Sequence, residues 1–527
     1  MRRLAFFLAV LLTLSSTSSY KILVYNSKFG HSHSTFLGRI ADILVEAGHN
    51  VTSLIPIKRP SLADGTTKSH VIHVQQTDEV RAANALMDVE EPNVFETGQY
   101  YYALIFDGLS FGRTYAAVCK SVLDEPGLVE RLRGEHYDVF INENFDMCGM
   151  GLSHLIQPKS VIGSSTCGLI GAHYDEFVIP KMLSFDPSPM MVDLDVHSPI
   201  SRFWNVVGEY LHRVKFAATR SEMQKVFYDR FGPDYPSLEE LSSHVAYVFA
   251  NAEPLIDYAT PTTSRIVPLG GIGVKQPQPL NEEWSAILSR RPRTVLISFG
   301  SVAASTDMPE YMRNSILEMI AAFPDITFIW KYEEPEDEFG VRASKSHANL
   351  VLAKWTPQND LLNDDRIVAF FTHAGMGSIQ ETAASGTPGI FIPLFGDQPR
   401  NAGMMQYNRL GKVFDKKNLG NAQTLVATLK EILNNPKYRT GCLRVSRMLK
   451  KKPFAPRDLV VKYVEFAAEF GPSSALRPVS ADMNVIEYYN IDVFIGLFIV
   501  ILFVTYALFT VGRAVLNCCT STKKKRD

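Results

Sequence analysis

The chain has 527 residues, 46% of them hydrophobic and 20% charged, with 53 Lys and Arg against 55 Asp and Glu. That apolar fraction excludes a disordered chain, and the balanced charge excludes a nucleic-acid coat. A mean hydropathy of −0.01 excludes a polytopic membrane protein, six cysteines over this length do not make a disulfide scaffold, and two or three globular domains are expected.

Residues 1–19 open with Met1-Arg2-Arg3, continue with an apolar run to Leu14 and end in small residues. That is the pattern of a secretory signal peptide, with the mature chain starting near Tyr20. Residues 21–25 form a short apolar run that fits a buried parallel strand. A polar loop, 26–34, leads into Phe36, Ile40, Leu44 and Ala47 at helical spacing, with Ser34 or Thr35 as cap and Gly48 as stop. Residues 51–55 make the next strand. Strand, loop, helix, strand opens a doubly wound α/β fold. Further strands are expected at 101–106, 139–142 and 244–250. Residues 56–100 carry no legible pattern, and 201–231 read as one or two amphipathic helices with Phe203, Trp204, Val207, Tyr210 and Leu211 clustered.

Gly and Pro then concentrate over 269–279 without periodicity, which places an interdomain linker at 271–285. A second series follows, with strands at 294–298, 326–330, 349–353, 368–372 and 389–392 and a helix near 308–323. The expected fold is therefore α/β, with two Rossmann-like domains, 20–270 and 286–490, facing a cleft where a ligand binds at the carboxyl ends of the strands. Residues 491–512 contain an uncharged apolar run, 493–511, that as a helix would be about 29 Å long, the thickness of a bilayer core. The tail, 513–527, is basic at Arg513 and from Lys523 to Arg526, which assigns it to the cytosol and the preceding domains to the lumen. Lys524 and Lys525 stand fourth and third from the end, like a dilysine signal for retrieval to the endoplasmic reticulum. Cys518 and Cys519 in the tail are candidates for palmitoylation. Cys119, Cys148, Cys167 and Cys442 lie before the span, and sequence alone does not pair them. Asn50-Val51-Thr52 is a glycosylation sequon at the start of a strand.

The second half holds the densest group of chemical residues: Trp355 and Gln358, then His373-Ala-Gly375-Met-Gly377-Ser378-Ile-Gln-Glu381, then Asp397-Gln398. His373 ends a strand and enters a glycine turn that opens a helix. Backbone N–H groups at a helix N-terminus hold phosphate, and His373 adds a donor or a positive charge. Ser378 supplies a hydroxyl, and Glu381, one turn on, can accept from a ribose. The indole of Trp355 can stack on a base whose edge Gln358 reads, while Asp397 and Gln398 suit sugar hydroxyls. Together these groups would bind a nucleotide diphosphate carrying a sugar. Taken singly, Trp355 and His373 are as readily core residues. Asp193-Leu-Asp195 has the form some metal-dependent transferases use, but it reads as a surface loop, and neither a zinc-spaced cluster nor a Gly-x-Ser-x-Gly elbow is found.

The segment from Trp355 to Gln398 resembles the signature of the UDP-glycosyltransferase family, in particular its membrane-bound UDP-glucuronosyltransferases, and the two chain ends resemble that family as well. Phe299-Gly300-Ser301 looks like the family's first donor-side loop, which adds Ser301 to the donor set. The resemblance implies a GT-B fold with one C-terminal transmembrane helix, a donor site in the second half and a lipophilic acceptor site in the first. It implies a histidine after the first strand as general base, oriented by an acid. His31 and His33 are both candidates. The family's histidine precedes the Gly-His pair at the end of the first helix by sixteen positions, which His33 and His49 satisfy. Aligning Asp138-Val139 and Cys148 puts Glu143 where the family has aspartate, a departure of one methylene, with Asp146 the second candidate.

The reading is an inverting transfer of a glycosyl group, glucuronosyl first, from a UDP-sugar to hydroxyls of small lipophilic acceptors. A glucosyltransferase of the same family, a non-catalytic UDP-sugar or lipophile binder, and an epimerase or hydrolase on the same fold are the alternatives. The UDP-sugar is a co-substrate, and no cofactor, metal or nucleic acid is expected. The expected partners are the acceptor, the membrane and a homo- or hetero-oligomer. The expected setting is the endoplasmic reticulum membrane, single-pass type I, with the catalytic domains lumenal.

Overall fold

A computed structural model describes residues 19–28, 30–90, 93–96 and 103–523. The leader at 1–18 and the Lys524-Lys525 signal lie outside the described residues.

Up to Leu476 the chain builds two parallel sheets. The first contains β1 (Lys21–Tyr25), β2 (Asn50–Pro56), β3 (His70–Val74), β4 (Val139–Glu143), β5 (Ser160–Ser165), β6 (Tyr247–Ala250) and β7 (Ile266–Pro268), in the order β3-β2-β1-β4-β5-β6-β7. Side chains alternate across a strand, so β1 and β4 serve both faces. Ile22, Val24, Val139 and Ile141 pack under Phe36, Ile40 and Leu44 of the helix His31–Glu46. On the other face, Leu23, Tyr25 and Phe140 pack against Tyr115, Cys119 and Val122 of the helix Ala103–Asp124 and against Met223 and Phe227 of the 33-residue helix Pro199–Phe231. Burial on both faces is why these strands read as unbroken apolar runs.

The second sheet contains β8 (Arg293–Ser298), β9 (Ile326–Lys331), β10 (Leu350–Ala353), β11 (Ile367–Thr372), β12 (Gly389–Phe391) and β13 (Gly411–Val413), in the order β10-β9-β8-β11-β12-β13. Each sheet reverses its winding direction once, between β1 and β4 and between β8 and β11. In doubly wound sheets a crevice opens at the carboxyl ends of those central strands.

Five expectations are corrected. The strand expected at 101–106 is not formed by 103–106, which belong to the helix Ala103–Asp124, whose Phe111, Tyr115, Val118, Cys119 and Val122 recur at helical spacing, while 101 and 102 lie outside the described residues. A short apolar run cannot distinguish the two forms until the period is followed further. The first helix begins at His31 with Gly30 as its cap, not at Ser34 or Thr35, because Ser34 N–H already bonds Gly30 C=O at 3.0 Å. The strand expected from 244 begins at Tyr247, after a helix Leu238–Ser243 that His244 terminates. A helix Glu282–Leu288 begins inside the stretch read as linker. The helix Pro456–Phe470, read with the second half, places Val460, Val464, Ala467 and Ala468 on the first sheet.

Residues 477–527 form a separate unit. In it the helix Ile491–Lys523 carries a stretch, Ile491–Asn517, long and apolar enough to cross a membrane.

Cys119 and Cys148 form a disulfide between the helices Ala103–Asp124 and Cys148–Ile156, closing a sequence separation of 29 residues. A loop of this size contributes about 3.6 kcal/mol by limiting the unfolded chain. The double substitution Cys119→Ala, Cys148→Ala is expected to lower the unfolding free energy of the first domain by that amount, seen as a lower denaturant midpoint; an unchanged midpoint would show that the bond contributes no net stability.

Candidate active site

His33 lies on the first turn of the helix that follows β1, and Glu143 is the last residue of β4. Because β1 and β4 are neighbours at the winding reversal, the two side chains meet. His33 Nδ1 stands 2.6 Å from Glu143 Oε1, and both residues are buried. The backbone N–H of Thr166, just past β5, donates to the same Oε1 at 3.1 Å. Burial pushes the Glu143 carboxyl upward, but the His33 charge, the His33 hydrogen bond and Thr166 outweigh it and hold the group below its ordinary range. In the neutral imidazole, an Nδ1–H that donates to the carboxylate leaves the lone pair on Nε2.

The rival residues are engaged elsewhere. Asp146 accepts from the Tyr25 hydroxyl at 3.2 Å and from the Cys148 N–H at 3.1 Å, and burial raises it to about 6. His31 sets its ring edge-on to Trp355, 6.2 Å between centroids. Asp193 and Asp195 are exposed, and Asp195 accepts from His197 N–H within its own loop.

Aromatic and sulfur groups surround His33. Phe145 meets its ring edge-on at 5.2 Å and continues to Phe216 at 5.2 Å and His173 at 6.2 Å. His173 is fully buried, and burial lowers it to about 4, so it is neutral at physiological pH. Cys167 Sγ lies 4.0 Å from His33 Nε2. Burial raises this thiol, and the nearby charges of Asp397 and Glu143 raise it further. Asp397 thus brings the second sheet's loops up to the His33 side of the cleft.

On that second side, His373 leaves β11 and sits between two glycines. A Cβ at Gly300 would fall 2.5 Å from His373 Cε1, and one at Gly375 would fall 2.5 Å from His373 Nε2. Gly300 also holds φ at +87°, a conformation that disfavours any larger residue. Burial, then the Lys331 charge, lowers His373 to about 4. The side chain is therefore a neutral hydrogen-bonding group, not the cation that sequence allowed. Its Nδ1 is buried without a protein partner. Ser301 follows Gly300 and is exposed. The helix Met376–Ser385 starts at Gly375 with no side-chain cap, so its first N–H groups, Gly377 among them, are open to an anion.

Gln358 Nε2 donates to Glu381 Oε2 at 2.6 Å and to Ser378 Oγ at 3.3 Å, which ties this side chain to the helix Met376–Ser385. Burial raises the Glu381 carboxyl, and the Gln358 bond opposes this. Trp355 is 63% exposed, an unusual position for an indole and one that leaves a ring face free to stack. Asp397, raised by burial, accepts from Asn401 Nδ2 at 2.6 Å. Gln398 Oε1 accepts from the N–H groups of Leu394 and Phe395 at 2.8 and 3.1 Å, so this amide's oxygen shapes the loop after β12.

Several residues were not foreseen. Lys331 ends β9, donates to Gly300 C=O at 2.9 Å and to Glu333 Oε1 at 2.6 Å, and lies 5.8 Å from the Trp355 centroid. Its signal was a cation at the carboxyl end of an apolar strand. Thr166, Cys167, His173 and Phe216 had no such signal, because β5 itself went unread.

A family model described as "UDP-glucoronosyl and UDP-glucosyl transferase" matches residues 20–526. UDP-glucuronosyltransferase 1A10 of Homo sapiens is 26% identical over 534 residues, covering 98% of this chain and 94% of the human one. UDP-glucuronosyltransferase 1A7 of Rattus norvegicus is 26% identical over 506 residues, covering 92% of both chains. Among solved structures, the glycosyltransferase of kitacinnamycin superposes with a TM-score of 0.58 at 17% identity, over 86% of this chain and 99% of that one. UGT2 of Phytolacca americana, complexed with UDP-2fluoro-glucose and pterostilbene, gives 0.55 at 15% identity, over 86% of this chain and 100% of that one. With two parallel sheets of Rossmann type and a match over nearly its whole length, the chain is a glycosyltransferase of the GT-B fold and belongs to the UDP-glucuronosyl and UDP-glucosyl transferase family.

Proposed function

We propose that the enzyme transfers glucuronate from its UDP-sugar to hydroxyl groups of small lipophilic acceptors, with inversion at the anomeric carbon. The observation that carries this reading is the buried 2.6 Å contact between His33 Nδ1 and Glu143 Oε1.

In this mechanism His33 Nε2 takes the proton of the acceptor hydroxyl as that oxygen attacks the anomeric carbon. The bond from that carbon to the UDP oxygen breaks, and UDP leaves with the electron pair. The imidazolium that forms is stabilised by the Glu143 carboxylate, which the His33 charge holds below its ordinary range. No covalent enzyme intermediate is needed. The pyrophosphate would rest on the open N-terminus of the helix Met376–Ser385, beside His373 and Ser301, so the reading calls for no metal or further cofactor. Trp355 would stack on the base, Glu381 and Ser378 would meet the ribose and phosphate, and Asp397 with the Gln398 N–H2 would meet sugar hydroxyls.

Lipophilic acceptors suit the aromatic surroundings of His33, where Phe145, Phe216 and neutral His173 offer no charge. Glucuronate is the first choice because the matched rat and human relatives are UDP-glucuronosyltransferases; glucose is the second, and the family description names both. We place the enzyme in the endoplasmic reticulum membrane, anchored by the helix Ile491–Lys523 with its catalytic domains in the lumen. This placement is supported by the apolar stretch Ile491–Asn517 and the basic tail.

Microsomes expressing the chain, given labelled UDP-glucuronate or UDP-glucose with a panel of phenols, are expected to yield glucuronides. Product from UDP-glucose alone would reassign the donor, and none from either would contradict transfer. In the same assay Glu143→Gln, which cannot hold the imidazolium by charge, is expected to lose about a hundredfold or more in kcat. Glu143→Asp keeps the charge at a shorter reach and should retain more activity than Glu143→Gln; the reverse order would show that reach, not charge, is what position 143 supplies.

A further inference from the structure

A chain of buried hydrogen bonds runs from Glu143 to the helix that carries the donor-side residues. Thr166 N–H donates to Glu143 Oε1 at 3.1 Å, and Thr166 C=O accepts from Asn251 Nδ2 at 2.9 Å. Asn251 N–H also donates to Ser165 C=O at 2.9 Å. Asn251 then presents its own C=O and Oδ1 to Gln380 Nε2, at 3.2 and 2.9 Å. Gln380 Oε1 accepts from Gly271 N–H in the interdomain linker at 3.1 Å. Glu143, Thr166, Asn251 and Gln380 are all buried. Glu143, Thr166 and Asn251 stand at the carboxyl ends of β4, β5 and β6, whereas Gln380 belongs to the helix Met376–Ser385 of the other domain. The Asn251–Gln380 amide pair is therefore one of the contacts that join the two sheets, and it is only two hydrogen bonds from the acid beside His33.

The position of Gln380 on its helix gives the contact a direction. At 3.6 residues per turn, Gln380 points away from Ser378, and Ser378 shares a face with Glu381. One side of this helix meets Gln358 through Ser378 and Glu381, and the other grips Asn251. Amides suit the task because each gives and accepts without charge, so every buried donor and acceptor is answered at no cost of ionic desolvation. Loss of Gln380 would leave Asn251 Oδ1 buried and unanswered, loss of the Asn251 side chain would leave Gln380 Nε2 with only the Asn251 backbone C=O, and either would loosen the helix against the first sheet.

We propose that the Gln380–Asn251 pair is a positioning element for transfer. It sets the distance between the anomeric carbon of a donor held on the Met376–Ser385 helix and the Nε2 of His33. Neither residue touches a reacting atom. The proposal rests on the transfer reaction proposed above, and it assigns to Gln380 and Asn251 a control over turnover that is separate from UDP binding. A misplacement of about 1 Å between reacting groups can lower a rate by a hundredfold, so a loosened pair should be read in kcat before it is read in affinity.

The test uses the full-length chain in detergent, with three measurements on each variant: kcat for transfer, equilibrium binding of labelled UDP, and the thermal midpoint. Gln380→Ala and Asn251→Ala are each expected to lower kcat at least tenfold while UDP affinity stays within twofold. The double variant should be little worse than either single one. The exchange Asn251→Gln with Gln380→Asn keeps the summed length of the pair and should recover part of the lost kcat. Unchanged kcat in both single variants would overturn the proposal. So would a parallel fall in kcat, UDP affinity and thermal midpoint that the exchange does not relieve, since that would mark a purely structural contact. A wild-type chain that binds UDP but transfers no sugar would overturn the proposed function and this inference together, whereas an active wild type with indifferent variants would overturn this inference alone.

Discussion

One contact organises the molecule: a carboxylate and an imidazole, both out of water, 2.6 Å apart at the junction of β1 and β4. A carboxylate buried in this way costs several kcal/mol unless charge and hydrogen bonds answer it. Glu143 is answered twice, by His33 and by the Thr166 backbone. The first answer requires a helix starting immediately after β1, which Gly30 permits by beginning it at His31. The second requires β5 to lie beside β4 with its end turned toward the cleft. The glutamate in place of the family's aspartate is thus accommodated by the pairing of β1, β4 and β5, and the extra methylene does not separate acid from imidazole.

The second sheet repeats the same construction for a different task. Its winding also reverses beside the strand that ends in the site, and His373 emerges from β11 as Glu143 ends β4. Here the charge logic is opposite. His373 is walled in by Gly300 and Gly375 and shifted down by burial and by Lys331, so it is neutral. Lys331 in turn is neutralised by Glu333 and held by the Gly300 carbonyl. In the proposed mechanism one sheet holds the pair that cycles a proton, and the other holds the cradle for the UDP-sugar. The Asn251–Gln380 pair is one of the places where the two come together.

Much of this was legible in the residues, for identifiable reasons. β1, β2, β4 and most of the second sheet are buried on both faces and announce themselves as apolar runs. β3 is a half-exposed edge strand rich in histidine, β5 contains three serines and a glycine, and β7 and β13 are three residues long, so none gave a periodic signal. Donor-side residues from Trp355 to Gln398 lie in one contiguous stretch, and their chemistry could be read in order. Thr166, Lys331, Asn251 and the Cys119–Cys148 bond could not, because each acquires its role from a neighbour far away in the chain. Burial was also invisible at the level of single residues. It made His373 neutral, tied Gln358 to Glu381, and left Asp146 to Tyr25 and a helix start.

The most direct measurement of the central contact is transfer by His33→Ala set beside its affinity for UDP. Removing the imidazole should lower kcat by about a hundredfold or more while UDP binds within twofold of wild type, because the donor cradle lies on the second sheet. Turnover equal to wild type would contradict the role of the His33–Glu143 contact in proton transfer, as would a loss of UDP binding that accounts for the whole fall in rate.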